Sequence, residues 1–448
     1  MQVRMRKKAG ILLSAGLLLT GCVSSAGEKT AESTQQEPAI SEQTTPEQAD
    51  PKGVKTKSQA IELEIYAWQD EEDNLTALAN AYMEQNETIS IHTNFVPMSE
   101  YTQQMMILKS GKRQADCCFF PSAAEASVWQ NKDMLKDLTD FISDEERNET
   151  YASWYQQEDA YRSYMLPYRN SRWAVYYNKD LFDRRGVAYP KEDWTWEDYE
   201  RIAVQLTKRT GLDKSYGSLS FEPTSTWWRV PARTKGANDP FSEEDLAAFK
   251  EAAEWCYHLT YDLGAQLPYT EQIGKAGSSY DANFLEGNVG MYFSGDWSVA
   301  SLNKMIEQNK LDVHYDIAPM PHWEGEENRV ISDAAVAAVF ETTQYEQEAW
   351  DFIRFVTGEE GAAVLADRGI IPACESEAIR RQYLDSEDAP EHREYFFTEG
   401  ELSETPASGS YVEAMEIIKE EAAHYLLQEQ GLEQTFALIS EKLDELRR

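Results

Sequence analysis

Flat aromatic rings stand beside planar hydrogen-bonding side chains at several points of the 448-residue sequence. Trp68 and Asp70 follow an alternating apolar run, Phe120 ends a short apolar one, and Glu222 precedes Trp227, Trp228 and Arg229. Asp296 comes directly before Trp297, again at the end of an apolar run. Sugar rings present axial C–H faces and a rim of hydroxyls. Holding them takes ring platforms together with Asp, Glu, Asn or Arg. For each of these rings the alternative is a place in the core. Other chemistries lack their parts. The six histidines have no H-x-x-x-H or other ligand spacing, and the five cysteines include no C-x-x-C. No Walker loop, G-x-S-x-G or G-x-G-x-x-G is present. Neither a cofactor nor a metal is expected. A glycoside hydrolase would need two carboxylates roughly 5–9.5 Å apart, one with a raised pKa. No motif marks such a pair, and the sequence leaves that alternative open.

The elements that must position these residues form an α/β pattern. Ile61, Leu63, Ile65 and Ala67 alternate with Glu62, Glu64 and Tyr66, the period of a strand. Leu75, Leu78, Ala79, Tyr82 and Met83 then recur on one helical face, and Ile89, Ile91 and Phe95 suggest a second strand. Ser99 is expected to cap a helix through Leu108, and residues 115–120 read as a buried strand. This β-α-β-α-β order predicts a mostly parallel sheet with helices on both faces. Ligands bind outside the carboxyl ends of such strands, which draws Trp68, Asp70 and Phe120 toward a site. Further on, residues 172–178, 216–221, 289–293 and 315–318 read as strands. Thr195, with Asp198 three residues later, predicts a capped helix; Ser242 starts another, and a last helix runs from about Val412 to the end. The runs Asp70–Asp73 and Ser143–Glu146 read as solvated helix starts whose charges complement the dipole. Hydrophobic residues make up 42% and aromatic residues 12% of the chain, enough for a sizeable core. The net charge of −37 repels phosphate backbones, so nucleic acid is disfavoured as a partner.

The first residues read as an address. Arg4, Arg6, Lys7 and Lys8 precede a short apolar stretch, Ala9 to Thr20, too short for a bilayer span of about 20 residues. Leu19-Thr20-Gly21-Cys22 resembles a bacterial lipobox. The resemblance implies a signal peptide over 1–22 and a diacylglyceryl anchor on Cys22, holding the protein outside the cytoplasm at the cell membrane. Residues 23–58 are rich in Ser, Thr, Gln, Glu and Pro without apolar periodicity, and read as a flexible linker.

Five stretches in order, over about residues 60–375, carry a wider likeness. They are Ile65–Asp70, Gln114–Phe119, Leu166–Phe182 with Trp194–Asp198, Phe284–Met291 running into Gly295-Asp296-Trp297, and Tyr315–Pro321 with Trp350–Ile353 and Gly369–Pro372. Together they resemble the extracellular solute-binding proteins of ABC importers, the class that includes the maltodextrin-binding protein. Cys117-Cys118 departs from the usual aliphatic pair, and a free Cys packs as a small hydrophobe. The last 75 residues match less clearly.

The resemblance implies a two-lobed periplasmic-binding-protein-like fold with hinge-linked αβ lobes, 59–165 plus 320–367 and 166–319 plus 368–448. It implies a cleft that closes on a small polar solute, a carbohydrate being favoured, with delivery to ABC permease subunits by a monomer. Tyr168, Arg169 and Arg172 would lie beside the first crossing. The family's G-x-W tryptophan commonly stacks on ligand, which makes Trp297, with Asp296, the leading ligand contact. Asp333, between Ser332 and Ala334, is a further candidate. A ligand sensor facing a signalling partner is the remaining alternative.

Overall fold

The computed structural model describes residues 60–448 apart from 157–159, 275–278, 387, 399–400, 403–404 and 407. The leader, Cys22 and the linker fall outside the described residues. Nine strands share one sheet: β1 (Ile61–Trp68), β2 (Ile89–Val96), β3 (Cys117–Phe120), β4 (Leu166–Asn178), β5 (Tyr216–Leu219), β6 (Val289–Gly295), β7 (Tyr315–Ala318), β8 (Val330–Val339) and β9 (Glu401–Leu402). The main path runs β2-β1-β3-β8-β4-β6-β5, with β7 on β4 and β9 on β8. The first β-α-β-α-β segment is parallel, as its short helical crossovers require. The rest is mixed. β8 runs antiparallel to both β3 and β4, and β4 antiparallel to β6 and β7. Strands that leave one half of the sheet and return to it must run in opposite directions.

Separate cores lie on either side of that passage. Leu63, Phe119, Trp129, Leu166 and Tyr168 pack with Ala334–Phe340, Phe352 and Ile370 in the first. In the second half alternation divides one strand between two faces. Trp173, Val175 and Tyr177 of β4 join Trp196, Met291 and Phe293, while Ala174 and Tyr176 join Tyr292, Ile317 and Tyr383 on the opposite side. The chain therefore changes core between Tyr168 and Trp173 and between Ile331 and Ala334, and over 362–371 it touches both halves, Leu365 and Ile370 packing in the first and Ala362, Ala366 and Ile371 in the second. Met320 packs in the second half, so the second crossing falls inside β8 itself and not at residue 320.

These three crossings are bonded side by side. Leu166–Arg172 pairs with Ser332–Ala337, and on its other flank Asn170 N–H donates to Ile371 O at 2.9 Å and Ala373 N–H to Tyr168 O at 3.1 Å. The two-lobed α/β architecture rests on this strip.

Local signals account for many helix starts. Thr195 and Asp198 form a reciprocal capping box, Ser242 caps Glu243–Tyr257, and Ser143 with Glu146 caps Asp144–Asn148. Ser99 does not cap. Its helix begins at Met98 after Pro97, which supplies no side-chain acceptor. The final helix is two, Gly409–Leu426 and Leu432–Leu446, separated where Gln428 takes φ 60. Ala414, Ile418, Tyr425, Phe436 and Leu443 pack with Trp227, Trp228 and Phe249 in a helical core of the second half. Gly409–Leu426 also packs against Ala123–Gln130, whose neighbours belong to the first half. Among the described residues no helix is long and apolar enough to cross a membrane.

Candidate functional site

Gly295-Asp296-Trp297 explains itself residue by residue. A Cβ on Gly295 would lie 1.8 Å from Trp297 Cζ3, so glycine is the residue that lets the indole lie against the end of β6. Trp173 stands opposite Gly295 in the β4–β6 register and meets Trp297 edge to face, centroids 5.3 Å apart. Phe221, just beyond β5, completes the group at 5.9 Å from Trp173, 6.0 Å from Trp297 and 4.8 Å from Tyr280. Trp297 and Phe221 keep part of their surface exposed. Rings that are open on one side and buttressed on the other are what a stacking platform requires.

Asp296 is fully buried and holds the crossings together. Its Oδ1 accepts the Arg172 N–H at 3.2 Å, its Oδ2 the Ile371 N–H at 3.4 Å, and its own N–H donates to Arg172 O at 2.8 Å. Burial pushes its carboxyl up to about 6, against the opposing pull of Arg169 and the backbone amides.

The acidic run after Trp68 divides. Glu71 is buried, not solvated as its run suggested, and pairs with Arg169 at 2.7 Å, side chains 3% and 6% exposed. Tyr168 donates its hydroxyl to Glu71 Oε2 at 3.0 Å, and Arg169 Nη1 reaches Ser171 Oγ at 3.1 Å. Burial opposes the Arg169 charge, but Glu71 holds it protonated. Asp70 stays exposed. Its carboxyl lies above the usual range, first through partial desolvation, then through the charge of Glu71; Arg169 opposes this and Glu222 adds to it. Asp281 is also raised, chiefly by burial, and senses Asp70, while Glu222 acts on the Tyr280 phenol. Asp281 is buried, and its Oδ1 accepts the Tyr292 hydroxyl at 2.7 Å and the Ser298 hydroxyl at 2.9 Å. Glu222, next to Phe221 in the chain, takes the left-handed region at φ 38, and Ser225 Oγ donates to its Oε2 at 2.7 Å.

The remaining expected residues lie elsewhere. Phe120 is wholly buried against Tyr101, and Tyr168 is 1% exposed, so neither offers a ring face. Trp68 is buried in the first core, with the Arg169 guanidinium 5.9 Å from its ring. Trp227 and Trp228 are buried among helices, Trp228 edge-on to Phe249 at 5.2 Å and Phe436 at 6.0 Å; a doublet that looked like a platform is a helical core. Arg172 pairs with Glu375 at 2.7 Å and covers the Phe397 ring at 4.8 Å. Asp333 pairs with Arg233 at 2.6 Å and accepts the Thr405 N–H at 2.8 Å. Burial pushes the Asp333 carboxyl up, yet Arg233 and Thr405 hold it below the ordinary range.

Sequence reading passed over Glu71, Trp173, Phe221 and Tyr280. Phe221 and Tyr280 each sit at an element end, at the close of a predicted strand and the start of the Tyr280–Leu285 helix. That position was a usable signal. Folding also brings Asp316, Glu391 and His392 within 4.8 Å of one another, which spacing along the chain could not reveal. There His392 Nδ1 already bonds Asp316 Oδ2 at 2.6 Å and Lys179 pairs with Glu391 at 3.3 Å, an ion-pair cluster.

Known proteins resemble the chain in sequence and in fold. Residues 68–363 match the family described as bacterial extracellular solute-binding protein. A binding protein of Brucella abortus (strain 2308) is 21% identical over 51% of this chain and 54% of its own length. The sn-glycerol-3-phosphate-binding periplasmic protein UgpB of Escherichia coli (strain K12) is 23% identical over 39% of each chain. The chain thus spans about half the length, or less, of the curated relatives it matches. Among solved structures, a sugar transporter from Rhizobium etli in an open conformation superposes with TM-score 0.71 at 23% identity, covering 86% of this chain and 99% of that one. An ABC substrate-binding protein of Listeria monocytogenes in complex with cycloalternan gives TM-score 0.71 at 19% identity, covering 86% and 98%. Those likenesses establish the fold. With the family match extending over well over half of the sequence, the chain belongs to the bacterial extracellular solute-binding proteins.

Proposed function

We propose that the protein is the receptor of an ABC importer, tethered outside the cell by a lipid on Cys22, and that it captures a sugar or oligosaccharide between its lobes. The lobes in this reading are 59–165 with the chain from mid-β8 to Ile370, and the remainder to Arg448. One observation carries it most: the partly exposed Trp297–Phe221–Tyr280 ring group, buttressed by Trp173 and with Glu222 next to Phe221 in the chain. Stacking surface next to acceptor oxygens is the chemistry of a polyol site. The sugar-bound and sugar-transport relatives of the same fold support the ligand class. The three bonded crossings supply a hinge. A solute touching both halves favours the closed form only by its differential affinity for that form. Loaded protein then docks on permease subunits.

A thermal-shift screen against oligosaccharides tests the reading. Ligand at 100 times its dissociation constant adds about 2.7 kcal/mol of stability. Trp297→Ala should abolish that response with the unliganded melting temperature little changed, and an unaltered response would take Trp297 out of the site. A surface glycoside hydrolase is the alternative reading. Incubation with oligosaccharides decides: release of shorter sugars would replace the receptor role with catalysis.

A further inference from the structure

A cavity of about 500 Å³ opens where the helices Glu243–Tyr257, Gly409–Leu426 and Leu432–Leu446 meet, and it shares no residue with the ring group at the end of β6. Its size falls within the range of small-molecule sites. Tyr257, Tyr425, Gln428, Glu429, Gln430 and Gln434 line it. The two tyrosine rings are stacked, centroids 4.9 Å apart, and Tyr261 packs on Tyr257 at 4.6 Å. Tyr425 is only 6% exposed, yet among the described residues no hydrogen bond engages its hydroxyl, which is left to whatever fills the cavity. The Tyr257 hydroxyl and the Gln428 and Gln434 amides are equally unengaged among the described residues. Gln430 is held in place. Its Nε2 donates to Glu421 Oε2 at 2.8 Å and Lys442 pairs with Glu421 at 2.7 Å, so the amide oxygen of Gln430 remains as an acceptor.

Charge narrows the ligand class. The chain carries 79 acidic residues, but one charged side chain lines this cavity, Glu429, and His424 Nδ1 lies 2.6 Å from its Oε2. A cation therefore meets no free carboxylate, and an anion meets no cationic group in the lining. A purely apolar ligand strands the amides. Carboxamides and phenols both donate and accept, as sugar hydroxyls do, and the rings add stacking surface. We propose that this cavity is a second saccharide site, separate from the interlobe cleft, which takes a neutral sugar unit against Tyr257 and Tyr425 with hydrogen bonds to Gln428, Gln430 and Gln434. Gln428, at φ 60, turns the chain between the last two helices and brings the three glutamines to one wall. Two sources share this chemistry, a free oligosaccharide and the chain of a neutral polysaccharide.

Equilibrium dialysis of the intact protein against maltotetraose, cellotetraose and mannotetraose measures the sugar bound per chain. With at least one of them, binding should rise beyond one molecule toward two. Tyr425→Phe removes one oxygen and keeps the stacked ring, while Gln428→Ala with Gln434→Ala trims exposed side chains. Each should weaken the second molecule at least about tenfold and leave the first unchanged, and Trp297→Ala should do the reverse, with melting curves confirming that the variants fold. Retention on insoluble amylose, cellulose or mannan, lost in the cavity variants, would assign the polymer as ligand; soluble binding without retention assigns the free oligosaccharide. Sugar binding that ignores both sets of cavity variants would overturn the second site and leave the receptor reading standing. A single bound molecule that the cavity variants abolish and Trp297→Ala spares would keep this site and remove the cleft reading. No bound sugar at all would remove both.

Discussion

Glu71 and Arg169 cannot be treated as two independent charges. With side chains 3% and 6% exposed, removal of one leaves the other buried without its counter-ion. Glu71→Gln should cost about 3–5 kcal/mol in urea unfolding, and Glu71→Leu with Arg169→Met should recover much of it. A single substitution costing under ~1 kcal/mol would mean that water reaches the pair. Gly295 gives a second residue-scale test. Alanine there places a methyl carbon 1.8 Å from the Trp297 ring, so the ring must move off the end of β6. Gly295→Ala should weaken solute binding about tenfold or more by titration, and unchanged affinity would show that the ring position is not what the solute reads. At this scale legibility was uneven. Gly-Asp-Trp stands out in sequence as an unusual triplet at a strand end, where the structure indeed puts its ring against the end of β6. The Trp227-Trp228 doublet misled because composition cannot tell a ring that faces a cleft from one facing Phe249 and Phe436. Glu71 was hidden because its partner lies 98 residues away.

Strands and crossings carry the next prediction. Asp296 ties β4 to the Ile371 segment through two amides, and its buried carboxyl is raised to about 6 from an ordinary 3.8. A folded-state value above the unfolded one means that the folded chain binds the extra proton between those limits. Stability from this group therefore rises as pH falls from 7 to 4, by about 3 kcal/mol at 1.36 kcal/mol per pKa unit. Relative to Asp296→Asn, which cannot titrate, the native chain should gain stability over that window in parallel denaturant melts. Curves that stay parallel from pH 7 to pH 4 would count against the burial argument. Alternating strands and capping boxes were readable in sequence because local chemistry fixes them. The antiparallel return of β8 was not, since nothing within Val330–Val339 records which half of the sheet each end will join. The break at Gln428 was equally silent, as the apolar spacing continues on both sides of it.

The whole molecule is acidic, two-lobed and, in the function proposed, tethered. Cys22→Ala should move the protein from the membrane fraction to the medium without altering its sugar response. A variant that stays with the membrane would mean that something other than this thiol attaches it. The family fold was visible in sequence through five weak motifs taken together, while the crossings inside β4 and β8 needed the packed cores to locate them. The Gly409–Leu426 helix rests on Ala123–Gln130 of one half and on Trp227, Trp228 and Phe249 of the other. In the function proposed, a brace seated on both jaws would narrow the set of gaping shapes that the empty receptor explores. Fewer shapes would then be surrendered at capture, leaving more of the contact energy to grip the cargo.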